Sequence, residues 1–323
     1  MAPTNPQRVV IAGGSGFLGR GLTAALLDAG QEVTILSRSP QQPAGLPPAV
    51  DWQTWDGKTL GPWASRLDHA AALVNFVGKS VDCRKTPDNV REILESRVDS
   101  CRMLGEACRS VSHPPPVWIQ SATAHIVGDP RPKDTICDES TPPGPQDEMA
   151  PRVGVAWEQA FADAKLPEQR GVVLRISFVL AHDGGAMDRL KMITKLGLGG
   201  TVGPGDQWIS WLHRDDLDRL ILQAIADDQF AGTYVVTAPE PVTNRQFMAE
   251  LRKAYHRPWF PPAPPLGVRL ASRFVLNTDP ELALEGRRCV PTRLTQDHGF
   301  TFQHPDLPEA LATVRRRETA ADR

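Results

Sequence analysis

The chain has 323 residues, 41% hydrophobic and 23% charged, and a formal net charge of −2. This balance supports a buried core and excludes a partner held by bulk electrostatics, such as nucleic acid or an anionic membrane surface. Five cysteines without a C-x-x-C pair or a neighbouring histidine cluster fit reduced thiols in the cytoplasm, with no disulfide framework and no metal. Residues 1–7 contain no signal-peptide core, and the apolar run 70–77 is only strand-sized.

Residues 8–12, Arg-Val-Val-Ile-Ala, have the β-rich apolar character of a buried parallel strand. The glycine-rich turn Gly13-Gly14-Ser15-Gly16-Phe17-Leu18-Gly19 follows at once. From residue 17 to 29 the apolar residues recur at helical spacing, and Gly30 closes the helix. A turn between a first strand and a first helix lets backbone approach a pyrophosphate while the helix N-terminus offers free N–H groups. This context marks a dinucleotide site rather than a mere tight turn.

Residues 32–37 read as the second strand, ending Leu36-Ser37-Arg38-Ser39. An acid at this point would bind the ribose 2′-hydroxyl of NAD; a guanidinium between hydroxyls suits the 2′-phosphate of NADP. The alternative is that Arg38 is a solvated surface residue. Asp56, after a weaker strand at 50–55, could meet the adenine amine or serve only as a turn residue. The strand at 71–75 runs into Phe76, Val77 and Gly78, where a small residue would leave room for a cofactor at the sheet edge. A long helix is expected over 87–109 and a strand over 117–121.

That strand delivers Ser121, Ala122 and Thr123 to the place where a nicotinamide would lie. Ser121 is a candidate partner for a substrate oxygen, or a turn former. His125 is a candidate proton carrier titrating near the usual ~6.5, or a structural histidine. Residues 129–151 are too rich in proline and polar residues for regular structure. Helices are expected at 153–164, 187–196 and 215–226, with strands at 171–179 and 232–237. Asp215 reads as a helix N-cap. The glycine-rich stretch 195–205, including Gly200, precedes Trp208, Trp211 and His213; it suits either a pocket wall or a buried aromatic clamp.

Alternation of strand and helix at this spacing predicts an α/β fold, a Rossmann-type doubly wound parallel sheet. The expected organisation is a dinucleotide-binding domain over 8–238, a small helical substrate-side segment over 239–314 with helices at 244–255 and 267–276, and a disordered tail over 315–323.

In this order the motifs resemble the extended short-chain dehydrogenase/reductase superfamily, and within it the atypical YfcH-like epimerase-family proteins. The resemblance spans nearly the whole chain. It rests on the 13–19 turn, Val81-Asp-Cys-Arg84, Glu95-Ser-Arg-Val98, Ser121-Ala-Thr123, Trp157-Glu158, Gly184-Gly-Ala186, Leu196-Gly-Leu-Gly-Gly200, the 207–213 stretch, Gly286-Arg287 and Gly299-Phe-Thr-Phe302. It implies a nicotinamide cofactor, NADP for members with the Ser-Arg strand end. It also implies an oxidoreductase or epimerase label; at the site so placed, Arg97 and Ser121 are expected to contact the cofactor, and Thr123, Gly200, Trp208 and Trp211 to stand on the substrate side.

The superfamily performs acid–base work with a Tyr and a Lys four residues apart on the helix after the Ser. Aligned on Glu158, those positions hold Ala150 and Gly154, and the only tyrosines are Tyr234 and Tyr255. Two readings therefore stand: an NADP(H)-dependent enzyme acting on a small molecule through Ser121 and His125, or an NADP(H)-binding sensor without turnover. Neither fixes the substrate, and either accommodates a homodimer.

Overall fold

The computed structural model describes residues 6–264 and 284–321. Its centre is a seven-stranded parallel sheet in the order β11-β7-β5-β4-β1-β2-β3. The strands are β1 (Arg8–Ala12), β2 (Glu32–Ser37), β3 (Asp51–Thr54), β4 (Ala72–Asn75), β5 (Val117–Thr123), β7 (Arg170–Ile176) and β11 (Gly232–Val236). The order in which strands are added reverses at β1, which pairs in parallel with both β2 and β4. Such a switch point opens a crevice beyond the strands' C-terminal ends, where ligands bind in open α/β sheets.

The two-residue period of β1 shows why the sheet is covered on both faces. Val9 and Ile11 join one buried cluster with Leu22 and Leu26 of α1 (Phe17–Asp28) and Leu217 and Leu220 of α5 (Arg214–Ala226). Val10 and Ala12 join the opposite cluster, with Cys101 and Leu104 of α2 (Pro87–Ser110) and Trp157 and Phe161 of α3 (Met149–Ala164). α2 begins as its sequence implies: Thr86 caps the Asn89 N–H at 3.2 Å and Pro87 sits where no N–H is needed.

A third cluster lies off the sheet. It joins Trp211 of β10 (Trp211–His213) and Met187 of α4 (Met187–Lys195) with α6 (Asn244–Ala254) and α8 (Leu307–Ala321) through Phe247, Leu251, Leu307 and Leu311. β10 pairs with β8 (Phe178–Leu180), and β12 (Val242–Thr243) with β9 (Trp208–Ile209). Within the loop expected to be irregular, β6 (Ile136–Cys137) pairs with β13 (Arg288–Cys289), which precedes α7 (Thr292–Gln296).

Residues 315–321 are helix, not a disordered tail. Arg317 grips Asp215 with two bonds of 2.6 Å, and Glu318 accepts from Lys195 and from the Tyr255 hydroxyl at 2.9 Å each. The helix expected at 267–276 lies outside the described residues. No helix among the described residues is long and apolar enough to cross a membrane.

Candidate functional site

The turn between β1 and α1 is built for close backbone approach. Gly13 has φ +77°, and a Cβ there would also stand 3.1 Å from the Phe76 and Val77 main chain. A Cβ on Gly19 would fall 2.4 Å from the Cα of Gly14, and one on Gly14 would strike Ile35. These glycines let the turn, α1 and β2 pack at backbone distance. Gly16 is the helix N-cap; no side chain caps α1 and no acid stands in its first turn. The positive end of the helix is thus left for an anion. Phe17 and Leu18 are half-buried, and the Gly184-Gly185 turn packs on the Phe17 ring.

Ser15 Oγ lies 3.1 Å from Ser37 Oγ, joining the turn to the end of β2. Arg38 follows on the surface, and its guanidinium has no ion pair or hydrogen bond among the described residues. Asp56 is a turn residue here: its carboxylate accepts from the Lys58 and Thr59 N–H groups and the Thr59 hydroxyl, each at 2.8 Å. Those bonds hold its pKa below the ordinary carboxylate value.

The ends of β4 and β5 are held by a buried network that sequence reading did not find. Asn75 Nδ2 donates to Gln120 Oε1 at 3.0 Å, Asn75 Oδ1 accepts from the Val77 N–H at 3.0 Å, and the Cys101 thiol donates to Gln120 Oε1 at 3.4 Å. The partners lie far apart in sequence, so no local pattern announces them. Arg97 fixes the next stretch, donating to the carbonyls of Lys79 at 3.0 Å and Ile93 at 2.9 Å while lying over the Trp157 ring. A Cβ on Gly78 would sit 2.9 Å from the Arg97 guanidinium carbon, so the small residue makes room for this arginine. Burial lowers the pKa of Arg97 to about 10, which still leaves it charged.

Ser121 is buried, and its hydroxyl donates to the Asn75 carbonyl at 2.7 Å. Thr123 Oγ1 accepts from the His125 N–H at 3.1 Å and so caps a single 3-10 turn, Ala124–Val127. The His125 imidazole is half-buried and forms no hydrogen bond among the described residues. Burial first, and then the charge of Arg287, hold its pKa well below 6.5. The expectation of an ordinary histidine titration is corrected: this ring stays neutral through physiological pH. Arg287 itself donates to the Gly128 carbonyl at 3.0 Å.

Gly154 marks a close approach between α3 and the 3-10 turn. A Cβ on Gly154 would meet Ile126 Cγ1 at 2.9 Å, so the 3-10 turn rests directly on α3 where a lysine side chain would leave the helix. One turn further along α3, Glu158 is held by Arg175 of β7 through bonds of 2.8 and 3.0 Å.

Of the residues expected on the substrate side, Trp211 and Gly200 are buried, while Thr123 and Trp208 are half-buried. Trp211 is fully buried and donates to the Glu240 carbonyl at 3.1 Å, the packing of a buried aromatic clamp. Gly200 is buried, and a Cβ there would stand 2.1 Å from the Pro261 carbonyl oxygen. Trp208 donates to Asp134 at 3.0 Å beneath the Arg288 guanidinium.

His213, not Asp215, caps α5, accepting the Asp215 N–H on Nδ1 at 3.2 Å. His213, Asp215 and His304 bring possible ligand atoms within 4.8 Å of one another. However, Arg317 takes both oxygens of Asp215 and the His213 Nδ1 lone pair is spent on the cap, which makes this an ion-pair network.

Burial, outweighing the attraction of Asp215, pushes the pKa of His213 down to about 3. Below the unfolded value of ~6.5 the unfolded chain takes a proton that the folded chain refuses. Stability should then fall by about 1.4 kcal/mol per pH unit, or about 2 kcal/mol by pH 5. His213→Asn keeps an N-cap acceptor and should remove that slope. Urea midpoints of both proteins at pH 7.5 and 5 check this; parallel losses would refute it.

The comparisons follow from this geometry. Residues 9–237 match the NAD dependent epimerase/dehydratase family, and residues 263–314 match a domain of unknown function, DUF1731. The chain belongs to the NAD dependent epimerase/dehydratase family. It is 32% identical over 318 residues to the epimerase family protein SDR39U1 of Bos taurus, covering 95% of this chain and 99% of that one. It is 29% identical over 308 residues to the epimerase family protein YfhF of Bacillus subtilis, covering 95% and 98%. The crystal structure of human SDR39U1 with NADPH superposes with a TM-score of 0.83 at 29% identity, covering 96% of this chain and 99% of that one. A UDP-glucose 4-epimerase of Thermus thermophilus, solved with NAD, shares the fold with a TM-score of 0.76 at 18% identity, covering 98% and 100%. The sheet accordingly has the Rossmann-type fold shared with these epimerase structures, with the helical C-terminal region beside it.

Proposed function

We propose that the chain binds NADP(H) across the C-terminal edge of its parallel sheet and acts as an oxidoreductase or epimerase-like enzyme on a small molecule. The observation that carries this is the end of β2: Ser37 joined to Ser15, then Arg38 exposed with its charge uncommitted among the described residues, and no acid. A relative solved with NADPH supports the same cofactor. When bound, the nicotinamide would supply hydride transfer.

The chain's own contribution is placement. Residues 13–19 offer N–H groups to the pyrophosphate, Val77 and Gly78 border it, and Arg97 steadies that border. Ser121 keeps oxygen lone pairs free to accept from a ligand hydroxyl, and neutral His125 stands two residues beyond Thr123. The substrate would lie between the sheet edge and the segment over 239–314, in a cytoplasmic protein.

A charge-assisted contact of Arg38 with the 2′-phosphate should contribute about 1.5–3 kcal/mol, or roughly ten- to a hundredfold in affinity. NADPH should therefore titrate more tightly than NADH, and Arg38→Asp should invert the order. Equal curves for the unmodified protein would sink the assignment.

The second reading, an NADP(H)-binding sensor without turnover, is favoured by Ile126 seated on Gly154. A positioned general base usually supplies about 10²–10⁴ in rate, so turnover of common alcohols or sugar nucleotides should be weak or nil. Any activity found should fall in Ser121→Ala and show no inflection near pH 6.5, because His125 does not titrate there. A rate that titrates near 6.5, or that survives Ser121→Ala, would move the acid–base groups elsewhere.

A further inference from the structure

Two thiols that the candidate site does not use stand opposite one another. Cys137 of β6 and Cys289 of β13 are direct partners in a two-residue parallel ladder. Both are free and buried, in a cluster with Ala124, Ile126 and Val127. Partners on adjacent strands lie about 4.7–4.9 Å apart and project to the same face. That spacing falls inside the ~4.4–6.8 Å window between Cα atoms that a disulfide spans.

The surroundings divide the labour between them. The Cys137 thiol donates to the Thr135 carbonyl at 3.8 Å, and the neighbouring Cys289 thiol together with the Arg287 charge favours the thiolate on Cys137, whereas the same pairing and burial disfavour it on Cys289. The other buried thiols are poorer nucleophiles, since burial pushes Cys101 up to about 12 and Cys108 up to about 11. The remaining cysteine, Cys83, is half-buried in the loop before α2. The ladder is short: besides its own pairing, the Val290 N–H donates to the Cys137 carbonyl and the Cys289 N–H to Ser210 Oγ. A small oxidant reaches the pair when this short ladder opens locally, which also requires release of the Arg287 bonds to the Trp208 and Gly128 carbonyls.

We propose that Cys137 and Cys289 are a modification site for a peroxide, which converts them to an intramolecular disulfide. The Cys137 thiolate attacks one peroxide oxygen, the O–O bond breaks, and the departing hydroxide takes a proton to become water. Cys137 is left as a sulfenic acid. The Cys289 thiol gives up its proton and attacks the Cys137 sulfur; the S–O bond breaks, a second water leaves and the S–S bond forms. Overall, two thiols lose two protons and two electrons, and one hydrogen peroxide is reduced to two waters. The product staples the loop after β5 to the C-terminal segment. It thereby fixes Arg287, whose Nε holds the Gly128 carbonyl at 3.0 Å beside the 3-10 turn that carries His125.

The test is to treat the native, full-length protein with hydrogen peroxide, quench, denature and count thiols with a maleimide. The count should fall from five to three as two thiols are consumed. The intact mass should drop by two hydrogens, and peptide mapping should show a Cys137–Cys289 link. Thermal unfolding should move upward and return with dithiothreitol. Cys137→Ser and Cys289→Ser should each abolish the link. If either variant fails to fold, the peptide map of the unmodified chain decides alone. A protein that retains all five thiols, or gains oxygen at Cys83 while Cys137 and Cys289 stay unlinked, would overturn the proposal.

Discussion

A chain ending at Val314 should be far less stable than the full protein, losing about 3–5 kcal/mol, as two partly buried clusters of charged hydrogen bonds worth ~1.5–3 kcal/mol each are lost. The cut removes Arg317 from Asp215, which is half-buried beside His213 and His304. It also removes Glu318, around which Lys191, Lys195, Arg315 and Tyr255 converge. The Lys191 ammonium is almost fully buried and would keep only Asp188 as an ionic partner among the described residues. Arg317→Ala and Glu318→Ala alone should cost less, about 1–3 kcal/mol each. Urea unfolding of the three variants checks the series. A truncated chain with an unchanged midpoint would show that the polar end of α8 is a solvated appendage after all.

Trp211→Ala should cost a similar amount, about 3–5 kcal/mol, because a fully buried indole leaves a cavity its neighbours only partly fill. Trp211 packs in one cluster with Met187, Phe247, Met248 and Leu311, bringing β10, α4, α6 and α8 together. Trp211→Phe should recover much of the loss by keeping an aromatic ring. NADPH titration of whichever variant remains folded should match the unmodified protein. A folded, stable Trp211→Ala with altered ligand binding would return this residue to the substrate side.

The parts of the fold legible in the sequence are those whose signals are local. β1, the glycine turn and α1 show a β-rich run, residues tolerant of tight turns and a helical repeat in succession, and their observed bounds nearly coincide with that reading. α3 begins four residues before its expected start because Pro151 falls in its first turn, where no intrahelical N–H is required, so the proline does not break the helix. The strand expected over 171–179 divides at Ser177, after which β8 leaves the main sheet to pair with β10. The end of α8 reads as a solvated tail because its charged residues find their partners on α4, α5 and the end of α6, far away in the chain.

The candidate site divides in the same way. Its glycine turn between β1 and α1 is local and was readable. The seats of Trp211 and Gly200, and the environment of His125, depend on contacts across the fold and were not. Histidine is an unusual helix cap, so the role of His213 was assigned to the more typical Asp215.

The contact between Ile126 and Gly154 leaves no room at position 154 for a longer side chain. Restoring a lysine at position 154 would drive its first carbon into Ile126, and relieving that clash means moving a turn pinned at one end by Thr123 and at the other by Gly128, whose carbonyl Arg287 holds. The changes would have to arrive together, since a lysine alone is sterically excluded and a smaller residue at 126 alone leaves a void in a buried cluster. A lysine at position 154 is therefore not accommodated by a single substitution. Any reactivity this chain acquires or retains has to be assembled around the packed turn.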